Sequence, residues 1–320
     1  MADMNRAVLL FPGQGSQYVG MGRSFFGASL AVARLFEEAA DVTGIDFRQL
    51  CFEGPDATLL QTDNVQPAIT LVNVAAFTML REEGVVAAAV AGHSLGEFAA
   101  LYAAGVFSFA DTMRLVKVRG AAMKTAADRH PGGMLAVFGI DVDTAGAICA
   151  EVQQGGAGSV EVANQNSPQQ IALTGAAEAL KAAGQLAKQR GARLLVPLKV
   201  SGPWHSRFMA EARAPMQEAL EQVSVAPPAV PVIANITAEP YPGEAAAVRG
   251  MLLDQIVRPV LWARSIRRLL DDGYLTFVEA GPGKVLTGLM RDIARDAAAF
   301  NVQDVETLQK LRAAGSGLAS

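Results

Sequence analysis

Val85-Val86-Ala87-Ala88-Ala89-Val90-Ala91-Gly92-His93-Ser94-Leu95-Gly96-Glu97-Phe98-Ala99-Ala100-Leu101-Tyr102-Ala103-Ala104 is the stretch on which the fold turns. Val85 to Ala91 reads as a buried strand of short apolar residues, and Leu95 to Ala104 reads as a helix. Between them, Gly92-His93-Ser94-Leu95-Gly96 fits G-x-S-x-G. A serine on so sharp a strand-to-helix turn is lifted clear of the sheet, and small residues on both sides avoid clashes. The helix that follows points its first N–H groups at any oxyanion formed there. Two readings fit the pentapeptide, a nucleophile or a tight turn capped by serine, and the flanking strand and helix favour the nucleophile.

Working outward, further apolar runs at Ala7 to Phe11, Arg193 to Val200, Val230 to Ala234 and Leu275 to Ala280 alternate with helical stretches. That alternation predicts an α/β fold with a mostly parallel sheet. The middle of the chain differs. Residues 134–141 read as a strand, 143–154 as a helix, 160–175 as two strands around an Asn-Ser-Pro turn, 176–190 as a helix, and Ala192 to Leu198 as a closing strand. The order β-α-β-β-α-β is that of a ferredoxin-like unit, and it starts just after a Pro-Gly-Gly break at 131–133. The expectation is a large subdomain from 1–130 and 200–312, a small inserted one from 131–199, and a disordered tail at 313–320. Ligands are expected in the cleft between the lobes.

Composition narrows the function. The chain has 320 residues, 51% of them hydrophobic and 18% charged, enough for a sizeable core. A formal net charge of −4 gives no footprint for nucleic acid or an anionic membrane surface. Cys51 and Cys149 stand far apart without metal or disulfide spacing, and no metal site is expected. No apolar run reaches membrane-spanning length, and residues 1–15 lack a signal peptide's core, so a soluble cytoplasmic protein is the expectation.

A serine nucleophile needs a base, and the chain holds three histidines. His93 adjoins Ser94, where neighbours in an elbow point apart; His130 sits in the Pro-Gly-Gly loop. His205 follows an apolar strand and lies downstream of the serine, the order of serine enzymes on this architecture, and is left by elimination. A packing histidine is the plainer alternative. No acid is assignable as its orienter, and a backbone carbonyl would hold Nδ1–H equally well.

Ser108-Phe109-Ala110-Asp111 has capping-box spacing and opens a helix. At about 100° per residue, Arg114, Lys117 and Lys124 share a polar face while Arg119 falls among Leu115, Val116 and Met123. A buried arginine keeps its charge and needs an anionic partner, either an internal acid such as Glu97 or a carboxylate on a ligand. Because this helix follows that of the nucleophile after a short turn, Arg119 is placed to grip a carboxylate in an acyl pocket.

Phe11-Pro-Gly-Gln-Gly-Ser-Gln17 lacks the third glycine of a dinucleotide fingerprint, and its backbone amides suit an oxyanion hole instead. Gly281-Pro-Gly-Lys284 is not a Walker loop and reads as a structural turn more readily than as a phosphate cradle.

These pieces resemble the malonyl-CoA:acyl carrier protein transacylases of fatty-acid and polyketide synthesis over nearly the whole chain. FPGQGSQ at 11–17, QTDNVQPA at 61–68, GHSLGE at 92–97, RG at 119–120, ANQNSP at 163–168 and ITA at 236–238 come in family order. The resemblance implies an α/β-hydrolase-like core carrying a ferredoxin-like lobe. It implies Ser94 as acylated nucleophile, His205 as base, Arg119 on the malonyl carboxylate, and Gln14 and Leu95 as oxyanion-hole amides. Gln255 matches the glutamine whose carbonyl orients the histidine, and Gln66 and Asn164 match positions lining the cleft.

The implied reaction is ping-pong transfer from malonyl-CoA to the phosphopantetheine thiol of an acyl carrier protein. No metal or redox cofactor is needed, and a monomer is expected. The sequence departs from the family before the histidine. Gly202-Pro203-Trp204-His205 stands where Ala-Phe-His or Val-Pro-Ser-His is common, and a bulky Trp204 facing the pocket leaves less room for an α-methyl branch. An acidic carrier would meet a basic patch, for which Arg207, Arg258 and Lys284 are candidates. The rival readings are an acyl hydrolase that clears carrier proteins, and a docking module with an inactive site.

Overall fold

The computed structural model describes residues 6–316 and is a mixed α/β structure with one parallel and one antiparallel sheet. The parallel sheet holds β1 (Ala7–Phe11), β2 (Ala87–Gly92), β7 (Val232–Ile233), β8 (Thr276–Ala280) and β9 (Ala298–Val302) in the order β7-β2-β1-β8-β9. β1 is buried along its whole length because helices cover both faces. Val8 and Leu10 join one core cluster, and Ala7, Leu9 and Phe11 join the other.

Register at the C-terminal edge positions the chemistry. Phe11 pairs with Gly92, and His93 N donates to Phe11 O at 2.9 Å, so the loops after β1 and β2 lie side by side. β7 pairs with Val90 and Ala91 and delivers Asn235 to the same edge. Behind this edge the helix Thr62–Glu82 is buried on nearly every face, as its almost continuous apolar sequence requires. The helix Phe109–Arg129 begins at Ser108, whose hydroxyl accepts from Asp111 N as the capping-box spacing predicts.

The antiparallel sheet contains β3 (Gly133–Phe138), β4 (Val160–Ser167), β5 (Gln170–Gly175) and β6 (Leu194–Pro197) in the order β4-β5-β3-β6. Helices Val142–Gln154 and Ala177–Gln189 pack on it around a separate core cluster. The strand and helix order is the one read from the sequence. The two sheets meet where Val260 bonds β4: Val260 N donates to Ala163 O at 2.8 Å and Gln165 N to Val260 O at 2.9 Å.

Several boundaries differ from the sequence reading. The run Arg193 to Val200 shrinks to β6, an edge strand of the antiparallel sheet, and Val230 to Ala234 shrinks to two residues between prolines and a turn. The hairpin turn falls at Pro168 and Gln169, one residue later than expected. β9 was not anticipated, since Ala298-Ala-Phe-Asn-Val302 is only partly buried and carries no long apolar run. The helix Val305–Ser316 takes in the first four residues of the expected tail, and the last four lie outside the described residues. Among the described residues no helix is long and apolar enough to cross a membrane.

Candidate active site

Ser94 sits at φ 51° between β2 and the helix Gly96–Ala103. Left-handed backbone at a non-glycine residue is strained, and it persists only where its surroundings hold it. The flanking glycines leave the chain no other course. A Cβ on Gly92 would lie 2.0 Å from Gly96 C, and one on Gly96 would lie 2.0 Å from Phe11 O. Asn235 straps the turn: its Oδ1 accepts from Ser94 N at 2.7 Å and its Nδ2 donates to Gly92 O at 2.6 Å.

His205 is buried and also has positive φ, 56°. Its Nε2 lies 2.6 Å from Ser94 Oγ, and its Nδ1 lies 2.9 Å from Gln255 O. A carbonyl only accepts, so Nδ1 carries the proton and Nε2 presents a lone pair to the serine hydroxyl. Burial, then the nearby Arg119 charge, lower His205 to about 3, so the free imidazole is neutral at ordinary pH. The other histidines are occupied elsewhere. His93 Nε2 bonds Asn166 Oδ1 at 2.8 Å, while His130 lies near Glu211 at the surface.

Arg119 is 1% exposed on the helix Phe109–Arg129. Its Nη1 donates to Gln66 Oε1 and its Nη2 to Gln255 Oε1, both at 2.9 Å, and Nη2 stands 3.4 Å from Ser94 Oγ. Its guanidinium lies over the Phe98 ring at 5.7 Å, and Nε has no hydrogen-bond partner among the described residues. The partners of Nη1 and Nη2, two amides and a hydroxyl, are all neutral. Among the described residues no carboxylate bonds the guanidinium, because the internal acid weighed in the sequence, Glu97, stands one amide away behind Gln255.

Ser94, His205, Arg119 and Gln66 line one cavity of about 270 Å³. Gln14 and Leu95 line it too, and their backbone amides donate to no acceptor within the described residues. Unlike most buried amides, they are free to bond an oxyanion. Trp204, 5% exposed, faces this cavity, as do Gln66 and Asn164. Val285, Leu286 and Leu289 add an apolar wall.

The loop Gly281-Pro-Gly-Lys284 is a structural turn. The Glu279 carboxylate already accepts from Leu286 N and Thr287 N at the start of the helix Val285–Ile293, leaving no cradle for phosphate. Of the basic candidates, Arg207 pairs with Glu161 and Arg258 with Asp254, whereas Lys284 has no ion pair among the described residues. Asn235, Asn166 and Tyr241 escaped the sequence reading. Asn235 directly precedes the Ile236-Thr-Ala238 motif at a strand end, the one signal that pointed near it.

The chain matches the acyl transferase domain family over residues 8–315. It is 38% identical to the malonyl CoA-acyl carrier protein transacylase of Bacillus subtilis (strain 168) over 306 residues, 96% of each chain. It is 39% identical to the polyketide biosynthesis malonyl CoA-acyl carrier protein transacylase BaeC of Bacillus velezensis over 292 residues, covering 91% of this chain and 97% of the relative. Among solved structures, the Clostridium perfringens malonyl CoA-acyl carrier protein transacylase superposes with a TM-score of 0.93 at 34% identity, covering 98% of both chains. A type II PKS acyl-carrier protein complex with its malonyl-transacylase gives 0.91 at 36%, covering 95% of this chain and 98% of that one. The chain therefore belongs to the acyl transferase domain family and groups within it with the malonyl CoA-acyl carrier protein transacylases.

Proposed function

We propose that the chain transfers malonyl from malonyl-CoA to the phosphopantetheine thiol of an acyl carrier protein through a malonyl ester on Ser94. One observation carries the diacid part of this reading. A buried guanidinium with only neutral hydrogen-bond partners stands 3.4 Å from the serine hydroxyl. The printed names of relatives 38–39% identical to the chain, and of a neighbour solved with a carrier protein, point the same way.

In the first half-reaction Ser94 Oγ attacks the thioester carbonyl while His205 Nε2 takes its proton. The backbone N–H groups of Gln14 and Leu95 hold the oxyanion, each contributing about 3–4 kcal/mol in related sites. The imidazolium passes its proton to the leaving CoA sulfur. Malonyl stays on Ser94 with its carboxylate on Arg119, whose Nη1 keeps a second proton and whose Nη2 already faces the serine. The carrier thiol then attacks, His205 takes the thiol proton, and Ser94 recovers it as the ester breaks. Neutralising Arg119 removes one of the two main causes that depress His205, so the carboxylate strengthens the base that acts on it. Trp204 limits room beside the α-carbon, and Gln66 and Asn164 line the acyl cleft.

The architecture belongs to the same proposal. The parallel sheet with its elbow serine supports an α/β-hydrolase-like subdomain from 1–130 and 200–312, and the order β4-β5-β3-β6 supports a ferredoxin-like insert at 131–199. Two buried, unpaired cysteines suit a reducing compartment and support a cytoplasmic location.

Intact mass after incubation with malonyl-CoA, then with phosphopantetheinylated carrier, tests the function. The expected result is a malonyl adduct that is lost in Ser94→Ala and moves to the carrier. Release as free malonate would establish the hydrolase instead, and no adduct would leave a docking module.

A further inference from the structure

Glu97 is fully buried three residues after the nucleophile, and the reaction as written does not use it. Its Oε1 accepts from Asn235 N at 2.7 Å, its Oε2 accepts from Gln255 Nε2 at 2.6 Å, and the Tyr241 hydroxyl also bonds it. Gln255 Nε2 further donates to Ser94 O at 2.8 Å. Both partners of Nε2 are pure acceptors, so the amide has one orientation, and its Oε1 must face Arg119. The same residue's backbone carbonyl holds His205 Nδ1. One carboxylate thus fixes the group that orients the arginine, the base and the elbow.

Charge makes this arrangement more than structural. Arg119 contributes +1 and Glu97 −1 to a buried site whose histidines are neutral, and an acyl carboxylate brings a second negative charge. An uncompensated charge in such surroundings is expensive. We propose that Glu97 is a positioning residue and charge buffer, which holds Gln255 and Arg119 in place before acylation and takes up one proton from solvent when an acyl carboxylate binds Arg119. The inference rests on the malonyl reading given above. The Tyr241 hydroxyl can rotate from donating to the carboxylate to accepting from the carboxylic acid, so the protonated form keeps its hydrogen bonds.

The neighbouring groups leave no other proton acceptor near neutrality. Arg119, from the helix Phe109–Arg129, stays protonated at that pH, with burial lowering it only to about 10. His205, on the turn after Pro203, is lowered to about 3, and His93 on the elbow is lowered by burial as well. Tyr241, after β7, is raised well above its ordinary value and stays protonated. Glu97 alone is pushed, by burial, up to about 7.

The test mixes the full chain with malonyl-CoA in weak buffer with a pH indicator while intact mass counts the adduct. At pH 7.5 the expected result is uptake of up to about three-quarters of a proton per malonyl adduct, because Glu97 at about 7 is already partly protonated there, falling toward zero below about pH 6. Above pH 7 the apparent dissociation constant for malonyl-CoA should rise by up to about tenfold per pH unit, with acetyl-CoA showing no such slope. Glu97→Gln, whose single acceptor oxygen cannot serve both Asn235 N and Gln255 Nε2, should form adduct more slowly and without uptake. Tyr241→Phe keeps the acid but removes a donor to its charged form, so it should move the uptake midpoint to higher pH. Adduct without uptake in the wild-type chain, or uptake that persists in Glu97→Gln, overturns the inference and leaves malonyl transfer standing. Absence of adduct overturns both.

Discussion

The Arg119 guanidinium stands 3.4 Å from the Ser94 hydroxyl, yet one residue lies on the helix Phe109–Arg129 and the other on the turn after β2, and their positions are fixed by a third residue, Gln255. That separation suits an acyl group whose carboxylate is a single carbon away from its carbonyl. Arg119→Ala should therefore reduce malonyl transfer by roughly 10²–10³, the usual penalty for truncating one partner of a buried charge pair. Its activity on acetyl-CoA, which gives the charge no partner, should rise relative to malonyl-CoA. Steady-state rates on the two thioesters check this, and an unchanged ratio would refute the carboxylate role.

Trp204 is buried against the cavity, and its indole edge packs so close to Gly202 that a Cβ there would sit 2.8 Å from it. The ring forms part of the wall of the acyl cavity. Trp204→Ala should let methylmalonyl-CoA in, raising its rate relative to malonyl-CoA by roughly 10- to 100-fold, the range for a methyl-sized discrimination in an apolar pocket. Competition between the two thioesters measures it; equal discrimination before and after would place the selectivity elsewhere.

How much of this was legible beforehand follows the reach of each signal. The elbow was readable because its requirements are local: a strand, two glycines and a helix within 20 residues. Arg119 was readable because helical periodicity put a permanent charge on an apolar stripe. Gln255 was named only through family resemblance, since its carbonyl reaches His205 across 50 residues and its amide reaches Ser94 across 161. Asn235 and Tyr241 were missed for the same reason: nothing near them in the chain requires an amide or a phenol, and only the folded partners do. β9 was missed because a partly buried strand at a sheet edge leaves a weak apolar pattern, whereas β7 is buried and is short because it pairs with β2 at two residues only.

Asn235 offers a direct measure of what the strap contributes. Asn235→Ala would remove its side-chain bonds to Ser94 N and Gly92 O in a buried turn. Leaving those groups unpaired costs about 1–3 kcal/mol each. Both a lower melting temperature and a lower kcat are expected, because a left-handed Ser94 relaxes once its tether goes. A variant with wild-type kcat would show that the glycines alone hold the elbow.

The pH profile separates a buried neutral histidine from an ordinary one. His205 falls from 6.5 in the unfolded chain to about 3 in the fold, so between those values the unfolded chain binds the proton first. Its contribution to stability is therefore present in full above 6.5 and is lost as pH falls toward 3. For catalysis, kcat/KM reports the free enzyme, and protonation of the base should not curtail it between about pH 5 and 7. Rates of Ser94 acylation measured by stopped flow across that range should show no unit-slope fall centred near 6.5. Such a fall would mean that His205 is solvated in the working enzyme and that Arg119 does not press on it.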